Sequence, residues 1–410
     1  MNFLKFKNSK LFFESVNIEK LAKKKKTPFY LYSQQQLKHN FDFFKSTFKK
    51  LNPIICFSVK SNSNVKLLSY LKKIGAGADV VSMGELLIAL KAKIDPKKIV
   101  FSGVGKTDEE LNFAIKKNIL LINAESESEL QNLDSIAKKN KKIVSVGLRI
   151  NPNIKAKTNK KISTGKKDDK FGMSFEKCLK ILDNRSTYSN LNFDALSVHI
   201  GSQILEVEPF RKTLSALQKF LDKINKIGVY PNYIDLGGGM GIPYNNERQF
   251  NLKQYAILIE SFKNKNNVEI IFEPGRFISG NSGILISKII YIKSSRNKRF
   301  VIIDAAMNDL IRPALYGAKH QILPVTKSKI TSKISTEFVG PVCETSDSFI
   351  TYNKYFKIHE GNFVCITNVG AYGRTLASNY NTRPYSEEIL INKNSIQTIK
   401  QRQSLKSLIE

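Results

Sequence analysis

The sequence predicts an α/β chain: a (β/α)8 TIM-like barrel followed by a second, antiparallel β-barrel or sandwich domain. Three observations predict it. Between Ile54 and Glu273, short apolar runs alternate with helix-period segments, and strands alternating with helices imply a parallel sheet. The runs number eight over about 220 residues, which is the size of a (β/α)8 barrel. Beyond Gly280 the pattern changes to runs rich in β-branched and aromatic residues with few long helices, the mark of an antiparallel sheet.

The barrel runs cover residues 54–59, 77–81, 99–101, 120–122, 143–150, 196–199, 234–236 and 269–272. Amphipathic stretches at 65–74, 85–92, 109–117 and 210–227 lie between them. A doubly wound open sheet is the competing arrangement, but its phosphate-binding glycines follow the first strand. Here the glycine-rich turn comes late, at 237–241. In the second domain, residues 283–292, 299–304, 337–342, 362–368 and 387–391 read as strands. The expected organisation is an N-terminal segment, 1–32, lending a strand to the β domain, then a barrel over 33–278 and the β domain over 279–410. The polar, lysine-rich stretch 154–170 reads as a loop.

Composition narrows the function classes. Hydrophobic and charged contents of 41% and 25% are those of a globular chain, but the net charge of +31 is not ordinary. Such a charge suits nucleic-acid binding. That function also calls for aromatic residues interleaved with a basic face. Only eleven of the 66 basic residues are Arg, and the lysines spread over nearly every expected helix. Solvated faces account for them, with no nucleic-acid or membrane partner expected. The four cysteines are widely spaced, without a CxxC pair or a nearby His cluster. No metal site or disulfide framework is expected, and a reducing cytoplasm fits. No apolar run suits a signal peptide or a membrane span.

In a (β/α)8 barrel the active site lies at the C-terminal ends of the strands. Lys60 closes the first run, Ile54-Ile-Cys-Phe-Ser-Val-Lys60, and a rigid strand places a side chain more accurately than a loop does. The second run ends near Asp79, the fifth carries Arg149, and the sixth ends in His199. The seventh leads into Asp235-Leu-Gly-Gly-Gly-Met-Gly241 and the eighth into Glu273-Pro-Gly-Arg276. Bare glycine amides admit a phosphate closely, and barrels commonly bind phosphate after strands seven and eight. A phosphate pocket beside a strand-end lysine suggests pyridoxal phosphate, with Lys60 forming the imine and Arg276 helping to hold the phosphate. Glu273 could then face the pyridine nitrogen, and His199 has the size to stack on the ring.

The chain resembles the barrel-fold (fold-type III) pyridoxal-phosphate decarboxylases and, within them, the branch acting on meso-diaminopimelate. The resemblance covers nearly the whole chain. It rests on Ser58-Val-Lys60-Ser-Asn, Ile162-Ser-Thr-Gly165 with Lys170-Phe-Gly172, His199-Ile-Gly-Ser-Gln203, Gly237-Gly-Gly-Met-Gly241 and Glu273-Pro-Gly-Arg276. It continues in Asn308-Asp-Leu-Ile-Arg-Pro-Ala-Leu-Tyr316, Gly340-Pro-Val-Cys-Glu344 and Gly370-Ala-Tyr372. The resemblance implies that Lys60 bonds the cofactor and that Asp79, His199, Ser202, Gly238, Gly239, Glu273, Gly275, Arg276 and Tyr372 surround it. Arg276, Arg312, Tyr316, Glu344 and Tyr372 would bind substrate. Cys343 would donate the proton across a homodimer interface, so that two subunits share each site. Ala306, Ser61 and Met240 stand where the family usually has Gly, Ala and Leu.

The implied reaction releases carbon dioxide from meso-2,6-diaminopimelate and yields L-lysine. Decarboxylases of ornithine, arginine or carboxynorspermidine are the alternatives. Ornithine and arginine end in a cation, for which carboxylates suffice, whereas Arg276 and Arg312 suit a distal carboxylate held by charge-assisted hydrogen bonds. A non-catalytic cofactor-handling protein would need neither Arg312, Cys343 nor a second domain.

Overall fold

The computed structural model describes residues 3–155, 165 and 169–410, and the chain folds as two compact units. One comprises Phe41–Ile242 and Arg248–Phe277; the other takes in the chain through Asn40, Pro243–Glu247 and Ile278–Glu410. The sheet unit therefore reaches eight residues past the expected N-terminal segment (40 against 32) and includes a short piece of chain after the glycine-rich turn. Among the described residues no helix is long and apolar enough to cross a membrane. No group of three His, Cys, Asp or Glu among them is placed to hold a metal ion.

The first unit is a closed barrel of eight parallel strands: β1 (Ile54–Ser58), β2 (Gly77–Val80), β3 (Ile99–Phe101), β4 (Leu121–Ala124), β5 (Val144–Ile150), β6 (Leu191–Val198), β7 (Tyr233–Asp235) and β8 (Glu269–Phe272). Each pairs with its sequence neighbour, and β8 closes onto β1 through Ile271 beside Ile54 and Phe272 beside Ile55. Each of the eight sequence runs overlaps one of these strands, the sixth least closely, with 196–199 against Leu191–Val198. The intervening helices are amphipathic and locally capped. Val65–Lys73 starts at Asn64, whose side chain accepts from the Lys66 amide, and buries Leu67, Leu68 and Leu71. Asp108–Lys117 begins with a capping box between Thr107 and Glu110, which satisfies two otherwise orphaned backbone donors. Glu208–Asn225 buries Phe210, Leu214, Leu217, Leu221 and Ile224 along one face, the three-to-four spacing a helix needs to cover a sheet. Under the barrel wall, Phe44, Phe48, Tyr255 and Phe272 meet edge to face or tilted, with ring centroids 4.5–6.3 Å apart.

The barrel interior changes character along its axis. Cys56, Val100, Leu121, Ala195 and Ile271, from five different strands, form one buried apolar cluster. Strand side chains alternate between faces, so the residue two places on shares the same face. Two places on from these five stand Ser58, Ser102, Asn123, Ser197 and Glu273, and two places on from Gly77, Gly147 and Tyr233 stand Asp79, Arg149 and Asp235. All eight of these polar residues are buried. The apolar plug thus carries a polar layer directly above it, at the end where barrel active sites lie.

The second unit is a sheet domain. Its nine-stranded sheet runs in the order Ser348–Tyr352, Ser335–Val339, Lys298–Ile303, Gly283–Ser294, Phe29–Ser33, Glu387–Asn392 and Ser395–Lys400, with Phe363–Ile366 joining Gly283–Ser294 to Ile322–Pro324. Most ladders are antiparallel, as expected. Two are parallel: Lys298–Ile303 with Ser335–Val339, and Phe29–Ser33 with Glu387–Asn392. The second brings strands from the two ends of the chain side by side, which needs no local crossover. Leu11, Phe13, Phe29, Leu31, Ile284, Ile286, Cys365, Ile389 and Ile391 fill its core. Gly283 and Gly370 lie back to back: a Cβ on Gly283 would come 2.5 Å from the Gly370 Cα, so neither position has room for a side chain.

Candidate active site

Lys60 lies just past β1, in the single 3-10 turn Val59–Ser61. Its Nζ is 2.5 Å from Oδ2 of Asp79, and Ser58 Oγ donates to the same oxygen at 2.6 Å. Asp79 is fully buried on β2, whereas the Lys60 side chain keeps 36% of its surface exposed. The lysine is tethered at its tip and open along its length, which suits an amine that must meet an incoming carbonyl. Asp79 Oδ1 is buried with no hydrogen-bond partner among the described residues, so the polar layer retains acceptor capacity for a bound group.

The glycine-rich turn is packed to the limit of its backbone. Gly237 and Gly239 have φ of +61° and +89°, in the left-handed region that side chains rarely adopt. A Cβ would sit 2.7 Å from His199 Nδ1 at Gly237, 2.3 Å from the Glu273 carbonyl oxygen at Gly238, and 2.5 Å from the Gly201 carbonyl oxygen at Gly239. Arg276, buried at the start of the short helix Arg276–Ser279, donates from Nη2 to Ser202 Oγ at 3.0 Å. At Gly275 a Cβ would meet Ser61 at 2.9 Å. These residues make a cationic, backbone-lined cradle, and such a donor set fits a phosphate.

His199 follows β6 and accepts the Gly238 amide on Nδ1 at 3.2 Å. Its proton therefore resides on Nε2. Burial, together with the charges of Arg149 and Lys60, lowers its pKa to about 3, so the ring is a neutral imidazole able to stack on an aromatic face. The Gly238 amide is committed to this bond, so Gly238 contributes space to the cradle and Gly239 is the freer donor. Arg149 is paired with Glu125 at 2.6 Å and its guanidinium lies 4.8 Å from the Phe171 ring. Glu273 is pushed well above the ordinary carboxyl range by burial first, then by the charges of Asp235 and Asp79, with Lys60 opposing. Glu85, in the helix Met83–Lys91, is raised to about 7 by burial and the charge of Asp79.

In the sheet unit, Arg312 opens the short helix Arg312–Tyr316 and is buried. Its Nε donates to His320 Nε2 at 3.2 Å and its Nη2 to Tyr244 Oη at 3.2 Å. His320 Nδ1 lies 2.8 Å from the Thr367 carbonyl oxygen, which fixes the tautomer: Nδ1 carries the proton and Nε2 accepts. Tyr244, Tyr316 and Tyr372 present their rings 5.4–6.0 Å from the guanidinium, within cation–π range. Tyr372 has φ of +57°, an unusual conformation for a tyrosine and one that clusters at functional sites. The structure thus gathers Arg312, Tyr316 and Tyr372 into one group.

Cys343 and Glu344 stand elsewhere, on an exposed turn. Asp347 organises that turn, accepting the Val342 and Met307 amides at 2.8 and 2.7 Å. Tyr380 Oη donates to Glu344 Oε1, and Ser346 Oγ donates to its other oxygen at 2.8 Å. These bonds lower the Glu344 pKa. The other three cysteines, Cys56, Cys178 and Cys365, are buried.

Sequence reasoning did not find Ser58, Asn123, Ser197, Tyr244, His320 or Tyr380 as parts of these clusters. The signal for the first three, a place two residues beyond an interior apolar position, becomes readable only once the closed barrel shows which face is interior. The others had none, because only the fold brings them to their partners. Of the quoted motifs, residues 162–164 and most of the loop expected at 154–170 lie outside the described residues.

Residues 34–280 match the pyridoxal-binding domain of the pyridoxal-dependent decarboxylases. Over its whole length the chain is 40% identical to the diaminopimelate decarboxylase of Haemophilus influenzae, covering 98% of that protein, and 38% identical to that of Aquifex aeolicus, covering 97%. Among solved structures, the Helicobacter pylori diaminopimelate decarboxylase in complex with L-lysine is 41% identical, with a TM-score of 0.92 over 96% of this chain and 98% of that one. The enzyme from M. jannaschii in complex with L-lysine is 34% identical, with a TM-score of 0.94 over 99% and 96%.

Proposed function

The chain belongs to the pyridoxal-dependent decarboxylases, in the diaminopimelate decarboxylase family, and we propose on that footing that it converts meso-2,6-diaminopimelate to L-lysine and carbon dioxide. This reaction is the last step of lysine biosynthesis, and its cofactor is pyridoxal phosphate. The observation that carries the reading is full-length identity near 40% to enzymes of that name, whose solved relatives hold L-lysine, the expected product.

When bound, the cofactor supplies an electron-withdrawing ring that takes up the electron pair left by departing carbon dioxide. The chain's own residues do the rest. Lys60 would hold the cofactor through Nζ, the atom that Asp79 fixes at the barrel mouth. The Gly239 and Gly275 amides, Arg276 and Ser202 would hold the phosphate. Gly238 would contribute the space its missing side chain leaves. His199, a neutral imidazole, would pack on the ring, and Glu273 would serve the pyridine nitrogen. Tyr372 would contact cofactor and substrate.

We assign the distal amino-acid group of the substrate to Arg312 and Tyr316, with Arg276 and Glu344 as further contacts. The caged guanidinium of Arg312 offers charge-assisted hydrogen bonds to a carboxylate. A substrate ending in an amine would meet that cation unfavourably. Cys343 delivers the proton that replaces carbon dioxide, and its exposure suits a donor that serves the site of a second copy of the chain, making the working unit a homodimer. The unpaired cysteines fit a cytoplasmic location.

Carbon dioxide release from meso-diaminopimelate, compared with ornithine and arginine, tests the substrate assignment. Turnover is expected with the first alone; strong turnover of ornithine with none of diaminopimelate would overturn it. For the shared site, Cys343→Ala should lose about 10²–10⁴-fold in turnover, the usual worth of a positioned proton donor, while binding cofactor normally. Mixing that variant with Lys60→Ala should restore part of the activity, and a mixture as inactive as its components would count against shared sites.

A further inference from the structure

Two carboxyl groups meet in the polar layer of the barrel. Asp235 closes β7 and Glu273 directly follows β8, on adjacent parallel strands. The backbone locks the two ends together: the Glu273 amide donates to the Gly237 carbonyl oxygen at 2.7 Å, and the Leu236 amide to that of Ile271 at 3.0 Å. Asp235 is fully buried and Glu273 is 7% exposed. Buried side by side at adjacent strand ends, the two carboxyl groups act on each other. Two negative charges so close together in a buried site are disfavoured, and a proton on one of them removes the repulsion.

The surrounding donors decide which oxygen owns that proton. Asp235 Oδ2 accepts from Asn123 Nδ2 at 2.8 Å and from Ser197 Oγ at 3.2 Å, and its Oδ1 accepts the Gly237 amide at 3.0 Å. Three donors converge on Asp235, whereas among the described residues Glu273 receives only a long contact from Ser102 Oγ at 3.4 Å. Hydrogen bonds to the charged form favour it, so Asp235 is the carboxylate and Glu273 the acid. The other charged or titratable groups facing the pair are Asp79 on β2, Cys56 on β1 and Lys60 after β1. Burial and the charge of Asp79 favour the protonated form of Glu273, and Lys60 opposes it. Burial also raises Asp235, against the Gly237 and Asn123 bonds.

We propose that Glu273 carries a proton in the cofactor-free chain, held there by Asp235 as a positioning residue, and gives it to the pyridine nitrogen as the cofactor seats. The proposal rests on the assignment of Glu273 to that nitrogen. In the transfer the Glu273 O–H bond breaks and an N–H bond forms. Glu273 becomes the second carboxylate, and the pyridinium cation balances it. No proton is taken from solvent, and the ring is activated by the act of binding.

Infrared spectroscopy of the cofactor-free and cofactor-loaded protein tests this. The cofactor-free chain should show one carbonyl stretch of a buried protonated carboxyl group that Glu273→Gln lacks, distinct from that of other buried carboxyls such as Glu85, and stoichiometric pyridoxal phosphate should abolish it. A cofactor-free spectrum without that band, or a band that survives cofactor binding, overturns the proposal. In Glu273→Gln the band should be missing from the start. In Asp235→Asn, which keeps the side-chain shape, the band should titrate with a midpoint lower by about one pH unit or more, since a neighbouring negative charge is gone; an unmoved midpoint removes Asp235 from the device. If Glu273→Gln binds pyridoxal phosphate with wild-type affinity and absorbance, the assignment to the nitrogen fails, whatever the infrared bands do. Should Asp235→Asn not fold, the wild-type and Glu273→Gln spectra still decide whether Glu273 holds and releases the proton.

Discussion

The barrel rim and the Arg312 group of the sheet unit solve the same problem, holding ionised side chains out of water, in opposite ways. The rim uses backbone. Its polar residues stand on successive strands, two places beyond apolar plug residues, and glycines at 237–239 bring main chain against main chain. The Arg312 group uses side chains: one imidazole and one phenol accept its protons, and three rings surround it. Under the proposed assignments, the difference separates chemistry from choice of substrate. A reacting lysine needs the fixed geometry of strand ends, whereas recognition of a distal group can rest on a five-residue helix with partners drawn from elsewhere in the chain.

The largest expected effect lies on the rim. Lys60→Ala should remove the covalently held cofactor band and lower turnover by more than about a thousandfold, as loss of a covalent-catalysis residue does. Some thermal stability should be lost with it, because the fully buried Asp79 loses its cationic partner. A variant that keeps the band and the turnover would place the chemistry outside the rim. Arg312→Met should act on the other region alone. Losing a charge-assisted hydrogen bond is worth about 1.5–3 kcal/mol, so kcat/KM for diaminopimelate should fall by about 10–150-fold with the cofactor spectrum unchanged. A parallel loss of cofactor would blur the division between the two regions.

The division was only partly legible in the sequence. All eight barrel strands were found because alternation of apolar runs with amphipathic stretches is a periodic signal. Lys60, Asp79, His199 and Glu273 stood out as candidates because they punctuate those runs. Ser58, Ser102, Asn123 and Ser197 were overlooked: a lone serine or asparagine in a strand carries no signal until the barrel closes and shows which face is interior. Tyr244 and His320 were invisible for a different reason. Tyr244 stands 68 residues before Arg312, and His320, eight residues after it, lies beyond the end of the short helix in a stretch with no period. The two parallel ladders of the sheet unit also escaped, since side-chain pattern records burial and not the direction of a neighbouring strand.

Two smaller effects sharpen the comparison. Glu85 belongs to the rim's electrostatics, with its pKa raised from 4.5 to about 7. A folded-state value above the unfolded one means the folded chain binds more protons between those limits, so stability falls as pH rises from about 4.5 through 7. In cofactor-free protein, Glu85→Gln should flatten that decline and be more stable at pH 8 by up to about 3 kcal/mol, with little difference near pH 4. Urea unfolding across that range checks it, and parallel pH profiles would mean that Glu85 ionises normally. The smallest effect belongs to the Arg312 group: His320→Gln keeps an acceptor for Arg312 but shifts its position. KM should rise by a few-fold to about tenfold, the worth of one ordinary hydrogen bond, while kcat stays close to wild type. A fall in kcat alone would show that His320 acts on something other than binding.

The most direct measurement is the position of the covalent bond. Protein loaded with pyridoxal phosphate, reduced with borohydride and digested, should yield one peptide carrying the reduced cofactor, with the added mass on Lys60. With 66 Lys and Arg residues in the chain, an adduct on any other lysine, or one scattered over many, would contradict the account of the barrel rim as the catalytic centre.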